Sequence, residues 1–346
     1  MTVPGTAKRY VLPTIGSYKN LITENIQIPK PKASEVLVKV HAVSLQYRDL
    51  IIASGQYPVA PSGGLVPCSD MAGQVVAVGE DVKRWKVGDR VCANFATDHL
   101  HGDPNPETQS TSLGGQSPGV LTEYRTFPAL SLLSIPEHLS YVEASTLPCA
   151  ALTAYNALYG ARPIKAGDHV LILGTGGVSI FGLQFAVASG ATVIATSSSD
   201  EKLKVAAKLG AKHVINYKKN PKWDEEVLRI TKGVGVDHVI EVGGPGTMPQ
   251  SINSTRMGGY IHLIGFVAQE PQETNLVQLI MKAVSIRGIQ IGSVAQFVDM
   301  NKMIEASPET TRPVVDKVFP FEKAVSAYEH LESQTHVGKV VIQVAN

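Results

Sequence analysis

Gly174-Thr175-Gly176-Gly177-Val178-Ser179 stands directly after an apolar run of strand length, residues 169–173, and directly before a helical pattern over residues 178–189. That context makes it a phosphate-binding turn. Gly174 permits the tight bend, and Gly176 lets the backbone approach a pyrophosphate with no Cβ between them. The helix opening at Gly177 and Val178 supplies N–H donors and the positive end of its dipole. Ser179 occupies the place of the third glycine of the dinucleotide fingerprint, so helix and strand are expected to pack slightly farther apart there.

Outward from the turn, apolar runs at residues 192–196, 213–216, 238–242, 260–264 and 285–289 alternate with helical patterns such as 201–209. Six such strands imply βαβ crossovers and a doubly wound parallel sheet, an α/β fold. Upstream the texture differs: residues 36–40 alternate, 73–78 are apolar, and 90–93 follow the turn Val87-Gly88-Asp89, which reads as an irregular β-rich domain. The tail from residue 291 returns to mixed elements, ends in a strand at 339–344, and is expected to fold back onto the first domain. Residues 96–119 are poor in apolar side chains and are predicted to be a long surface loop with no packed element.

Bulk composition sets limits. At 346 residues with 44% hydrophobic side chains, the chain has length for two domains and enough apolar content for two cores. The 31 basic and 30 acidic residues leave a formal charge of +1, with no run of one sign, so neither nucleic acid nor an anionic membrane is an expected partner. Three cysteines, Cys68, Cys92 and Cys149, are too few and of the wrong parity for a disulfide framework. No apolar leader precedes Tyr10, and no stretch reaches about 18 apolar residues. A cytoplasmic protein acting on a small molecule is expected.

The second strand of the sheet ends in Thr196-Ser197-Ser198-Ser199. An NAD-specific site places Asp or Glu there, about 20 residues past the turn, on the ribose 2'-hydroxyl. Hydroxyls accept a 2'-phosphate where a carboxylate repels it, and Lys202 supplies compensating charge. Tyr217, after the third strand, adds a phenol on the same rim. Ser197, Ser198, Lys202 and Tyr217 thus predict NADP(H), while Lys204 reads as a solvated helix face.

At this point nearly the whole chain resembles the medium-chain dehydrogenase/reductase superfamily, in its zinc-independent quinone oxidoreductase-like branch. The resemblance rests on Gln46-Tyr47-Arg48-Asp49 with Gly55 and Tyr57, Asp70-Met71-Ala72-Gly73 with Val78-Gly79, and Val87-Gly88-Asp89-Arg90-Val91. It continues through Leu147-Pro148-Cys149, Leu152-Thr153-Ala154-Tyr155, the glycine turn, Arg287-Gly288 with Gly292-Ser293, and Gly338-Lys339-Val340-Val341. It implies a barrel-like catalytic domain, residues 1–151 and 290–346, around a Rossmann cofactor domain, residues 152–289, with the substrate cleft at their junction. It further implies that the turn, with Thr175 and Gly177, holds the cofactor. Gln46, Thr153, residues 264–267 with Gly265, Phe266 and Val267, and residues 288–293 with Ile291, Gly292 and Ser293 would surround the nicotinamide. A homodimer through the cofactor domain's edge strand is usual in the family.

Zinc-dependent members hold their metal with Cys, His and Cys, assisted by Glu; by resemblance those places are Gln46, Ser69, Cys149 and Asp70. One ligand of three is too few for catalytic zinc, and the loop corresponding to the structural zinc lobe contains no cysteine. Cys149 reads as a small buried hydrophobe. His99, His101, Asp98 and Asp103 in the polar loop are read as solvated rather than metal-binding. Without a Lewis acid the expected substrates delocalise charge themselves: quinones and α,β-unsaturated carbonyl compounds reduced by NADPH. Gln46, holding a water, Tyr47 and Tyr57 are the proton-route candidates, although quinone-reducing relatives usually carry Asn at Gln46 and some carry Tyr and Arg at Ile51 and Ala53. Two alternatives stay open. One is alcohol/aldehyde oxidoreduction, metal-free or with a weak metal held by Cys149 and Asp70; the other is an NADPH-binding sensor or structural protein without significant turnover.

Overall fold

The computed structural model describes residues 3–58, 64–267 and 274–345. The chain divides into two compact units, one of Thr153–Ile291 with Ser307–Thr311, the other of Met1–Leu152, Gly292–Ala306 and Arg312–Asn346. The first of these carries a six-stranded sheet in the order His213–Asn216, Thr192–Ser197, His169–Leu173, Val236–Glu241, Thr255–Leu263 and Ser285–Gly288, parallel throughout. Its central strands are buried on both faces, as their unbroken apolar runs require: Val170, Leu171, Ile172, Val193, Ile194 and Ala195 have no exposed surface.

The chain enters this sheet at His169–Leu173, builds outward through two strands, and then crosses back to lay Val236–Glu241 on the other side. That reversal opens a crevice at the carboxyl ends of the two central strands, where ligands of doubly wound sheets bind. The helix Gly177–Ala188 begins there. The Ser179 Oγ donates to the carbonyl of Leu173 at 2.7 Å, tying the helix to the strand it follows. Close packing falls at Gly182, where a Cβ would meet side-chain carbons of Ile172 and Ile240 at 3.4 Å.

The other unit is built on a mixed seven-stranded sheet. Glu35–Ser44 lies at its centre, antiparallel to Asp70–Val78, Tyr124–Pro128 and Lys339–Gln343. The tail strand therefore pairs with the N-terminal domain, and Val315–Pro320 joins it in parallel. Strands Arg90–Ala93 and Leu132–Ser134 extend the other side.

The expectation of an unpacked loop over residues 96–119 is overturned. Pro106–Ser110 forms a short helix capped by Asn105, and His99 and Leu113 are buried. The carbonyls of His99 and Leu100 accept from Val294 and Ala295, the first N–H groups of the helix Val294–Ala306. The orphan donors of a helix end need partners, and this segment supplies them. Among the described residues no helix is long and apolar enough to cross a membrane.

Candidate active site

In the cofactor unit the glycine turn has the geometry its sequence predicts. Gly174 adopts φ +73°, a left-handed conformation that glycine enters without strain. Gly176 caps the helix in ordinary extended backbone, and a Cβ placed there meets nothing within 4 Å. The turn thus faces open space over a helix N-terminus with no acidic residue in its first turn, which suits an anionic pyrophosphate. Thr153, buried at 2% exposure, has a hydroxyl with no hydrogen-bond partner among the described residues. These features fit a nicotinamide dinucleotide.

Beyond the second strand, Ser197 is buried and its Oγ accepts from the Ser199 N–H at 3.4 Å. Ser199 caps the helix Asp200–Lys208 by accepting from the Lys202 N–H at 3.5 Å. The Tyr217 N–H donates to the Ser197 carbonyl at 3.1 Å and its ring is exposed, so Ser197 and Tyr217 share one rim with the start of the helix that carries Lys202. Asp200, which no sequence motif singles out, is an acidic group beside them in the first turn of that helix. Lys219 holds it at 2.5 Å and Asn216 donates to it at 2.7 Å. The Lys219 hydrogen bond, then that of Asn216, keep its carboxyl below the usual range. Lys204 pairs with Glu201 on the solvated face, as expected.

In the other unit, Ser44 pairs across the sheet with Asp70, and the Gln46 side chain reaches Asp70. Asp70 is wholly buried. It accepts from the Ser69 hydroxyl at 2.5 Å, from the Cys149 N–H at 3.1 Å, and from Gln46 Nε2. Cys149 reaches it from a π-helical turn, Leu147–Ala151, of the kind often found at functional sites. Burial raises Asp70 to about 6, against the pull of Lys339, whose ammonium is itself buried and donates to the Leu45 carbonyl. Asp49 accepts from the Gln46 N–H at 2.8 Å, and burial raises it to about 7. Burial also pushes the Cys149 thiol up and lowers the Lys339 ammonium.

The four places that hold zinc in metal-dependent relatives are thus together, but as an amide, a hydroxyl, a single thiol and a carboxylate that already accepts from three donors. This donor set does not fit zinc. Among the described residues no three His, Cys, Asp or Glu side chains are grouped to hold a metal.

The remaining candidates scatter over local roles. Tyr47 packs partly against the apolar core. Tyr57 lies under the Arg48 guanidinium, 5.1 Å from its ring centre, with Phe95 against the same cation at 4.8 Å. Phe266 and Val267 are exposed beyond the Thr255–Leu263 strand, after Gly265, whose N–H donates to the Glu241 carbonyl. Ile291 adopts φ +50°, costly for a β-branched residue, while its carbonyl accepts from Asn156 at 2.8 Å. Gly292 and Ser293 lead into the helix Val294–Ala306, where Ser293 is buried. His99, read as solvated, is buried with Nε2 on the Gly102 carbonyl at 2.9 Å.

Residues 177–306 match the family described as zinc-binding dehydrogenase, and residues 32–137 the alcohol dehydrogenase GroES-like domain. The chain is 49% identical to a zinc-type alcohol dehydrogenase-like protein of Schizosaccharomyces pombe, covering 98% of this chain and 99% of that one. It is 30% identical to a quinone oxidoreductase of Sus scrofa, over 93% and 92% of the two chains. A solved NAD-dependent alcohol dehydrogenase superposes with a TM-score of 0.89 at 30% identity, covering 98% of this chain and all of the other.

Proposed function

This chain belongs to the medium-chain dehydrogenase/reductase superfamily and is a nicotinamide-dependent oxidoreductase, and on that premise we propose that it is an NADPH-dependent, zinc-independent reductase of quinones or α,β-unsaturated carbonyl compounds. The observation that carries the reading is the Asp70 cluster. Ser69, Gln46 and the Cys149 N–H take three of the roughly four acceptor positions of a carboxylate where a metal site needs free ligands. With no Lewis acid to stabilise an isolated alkoxide, the enzyme is left with acceptors that spread the charge over a conjugated system.

The bound cofactor supplies the hydride; the chain positions it, excludes water and handles the proton. Gln46 turns its Nε2 toward Asp70, an acceptor, so its Oε1 is the atom left to hold a water or a hydroxyl. Tyr47 and Tyr57 remain the side-chain proton candidates. In an acceptor panel, NADPH absorbance should fall with quinones and enones. Turnover of simple alcohols and aldehydes alone would favour the alcohol dehydrogenase reading that relatives' names suggest. Tight NADPH binding with no turnover would favour a sensor.

Ser197, Lys202 and Tyr217 support NADP(H) over NAD, and the engagement of Asp200 by Lys219 and Asn216 removes the nearest carboxylate from competition. Replacing Lys202 by Ala should weaken NADPH about tenfold or more while NADH changes less than about twofold. Equal losses would show that no 2'-phosphate is read there.

We also assign the homodimer usual in the family. The Ser285–Gly288 edge strand follows the helix Leu276–Lys282, on which Leu276, Val277, Ile280 and Met281 are exposed, as is Ile286 on the strand. Such an apolar edge is ordinarily covered. A monomer in sedimentation would remove that assembly. The buried free thiols of Cys68, Cys92 and Cys149 suit a reducing cytoplasm.

A further inference from the structure

Glu241 ends the Val236–Glu241 strand and has no exposed surface, yet among the described residues it pairs with no cation. Instead its Oε1 accepts from the N–H groups of Gly243 at 2.8 Å and Gly244 at 2.9 Å and from the Thr247 hydroxyl at 2.7 Å. Its Oε2 accepts from the Ser251 hydroxyl. A buried carboxylate is costly unless its lone pairs are filled, and here four donors from the ten residues that follow fill them. The side chain thereby fixes the path of the loop leaving the strand.

That loop stands at the crevice. Its strand pairs with His169–Leu173 at the point where the sheet order reverses. On one side, a Cβ at Gly174 would meet Val242 Cγ2 at 4.0 Å, so the loop borders the pyrophosphate turn. On the other, Gly244, at φ +81°, has room for no side chain: a Cβ would lie 2.8 Å from the Gly265 carbonyl oxygen and 2.9 Å from Phe266 Cα. Gly265 abuts the Val242 carbonyl just as closely, at 2.4 Å for a Cβ. Residues 242–244 are wedged between the glycine turn and the segment 264–267.

We propose that Glu241 is a positioning residue for the cofactor: it holds the wedge of residues 242–244, and through it Gly265 and Phe266, at the spacing the dinucleotide requires. This rests on the reading of the crevice as the dinucleotide site. The carboxylate acts through the loop, by accepting hydrogen bonds. An amide keeps that capacity, because Gln Oε1 retains the three bonds of Glu Oε1 and the Ser251 hydroxyl can reverse to accept from Nε2.

The test titrates NADPH and NADH, by nicotinamide fluorescence, into the wild type, Glu241→Ala, Glu241→Gln and Thr247→Val. Glu241→Ala should weaken the preferred dinucleotide about 10- to 30-fold, Thr247→Val about threefold, and Glu241→Gln less than about threefold. With an accepting quinone or enone, Glu241→Ala should raise the cofactor KM by the same factor while kcat at saturation stays within about threefold. A folded Glu241→Ala that binds like the wild type overturns the proposal, as does a Glu241→Gln as weak as the alanine variant. If Glu241→Ala does not fold, unchanged binding by Thr247→Val overturns it. A wild type that binds neither dinucleotide removes the cofactor reading and this inference with it; wild-type binding with an indifferent Glu241→Ala removes only this inference.

Discussion

Replacing Gly176 by Ala is expected to lower dinucleotide affinity about 100-fold while leaving the melting temperature within about 2 °C. The two effects separate because the two glycines of the turn differ. Gly176 sits at φ −75° and ψ −176°, backbone open to any residue, and a Cβ there meets no protein atom within 4 Å. The fold has no reason to notice the methyl group. A pyrophosphate lying on the Gly176 backbone does, because the methyl occupies the approach and pushes the phosphates off the helix N-terminus. Gly174, at φ +73°, is the contrasting case: Ala there should cost about 1 kcal/mol of folding stability through its left-handed backbone. Calorimetric melting together with a cofactor titration checks both. Unchanged affinity in Gly176→Ala would mean that the phosphates do not lie on this turn.

Replacing Lys339 by Met should destabilise the protein by about 3–5 kcal/mol at pH 8, because it leaves the buried Asp70 carboxylate without its main compensating cation. The loss should depend on pH. Asp70 and Asp49 titrate near 6 and 7 in the fold, raised by burial above an ordinary aspartate. The folded state thus holds their protons more tightly than the unfolded chain does. Their contribution to stability is complete below about pH 4 and is lost as pH rises through 6 to 7. Lys339 limits that loss by attraction to the ionised forms. The gap between the wild type and Lys339→Met in urea unfolding should therefore be widest above pH 7 and shrink below pH 6. Adding Asp70→Asn to Lys339→Met should recover much of the stability at pH 8, since the uncompensated charge goes with it. A gap constant from pH 5 to 8, with no recovery in the double variant, would show that Lys339 contributes packing alone.

The cofactor sheet was legible because each central strand is an unbroken apolar run, buried on both faces and bounded by helical patterns. Where a strand departs from that grammar, its ends were not. Thr255–Leu263 begins five residues before its apolar run, through Arg256 and two glycines, because its register shifts against Val236–Glu241. Local sequence carries no sign of such a pairing. Residues 96–119 were misread for a different reason. Their polarity suggested solvent, but Asn105-Pro106 with Thr108 was a readable helix start, and the burial of His99 depends on a helix almost 200 residues away in the chain.

In the site, the glycine turn and the serines beyond the second strand were local and could be read directly. The Asp70 cluster could be anticipated only through resemblance, since sheet pairing and the π-helical turn bring its members together. Two acidic groups were missed. Asp200 is one residue past the serines, and its neutralisation comes from Asn216 and Lys219 on the next strand and its turn. Glu241 closes an apolar run, and in sequence a carboxylate there gives no hint that four donors await it. A downstream cluster of Gly243, Gly244, Thr247 and Ser251 is the signal that would have found it.

The claim that the Asp70 cluster replaces a metal is tested most directly on protein purified without chelator, by measuring bound zinc and NADPH oxidation before and after dialysis against EDTA. The account predicts far less than one zinc per chain and an unchanged rate with a quinone or enone acceptor. One zinc retained per chain, with activity that chelation abolishes and zinc restores, would contradict it.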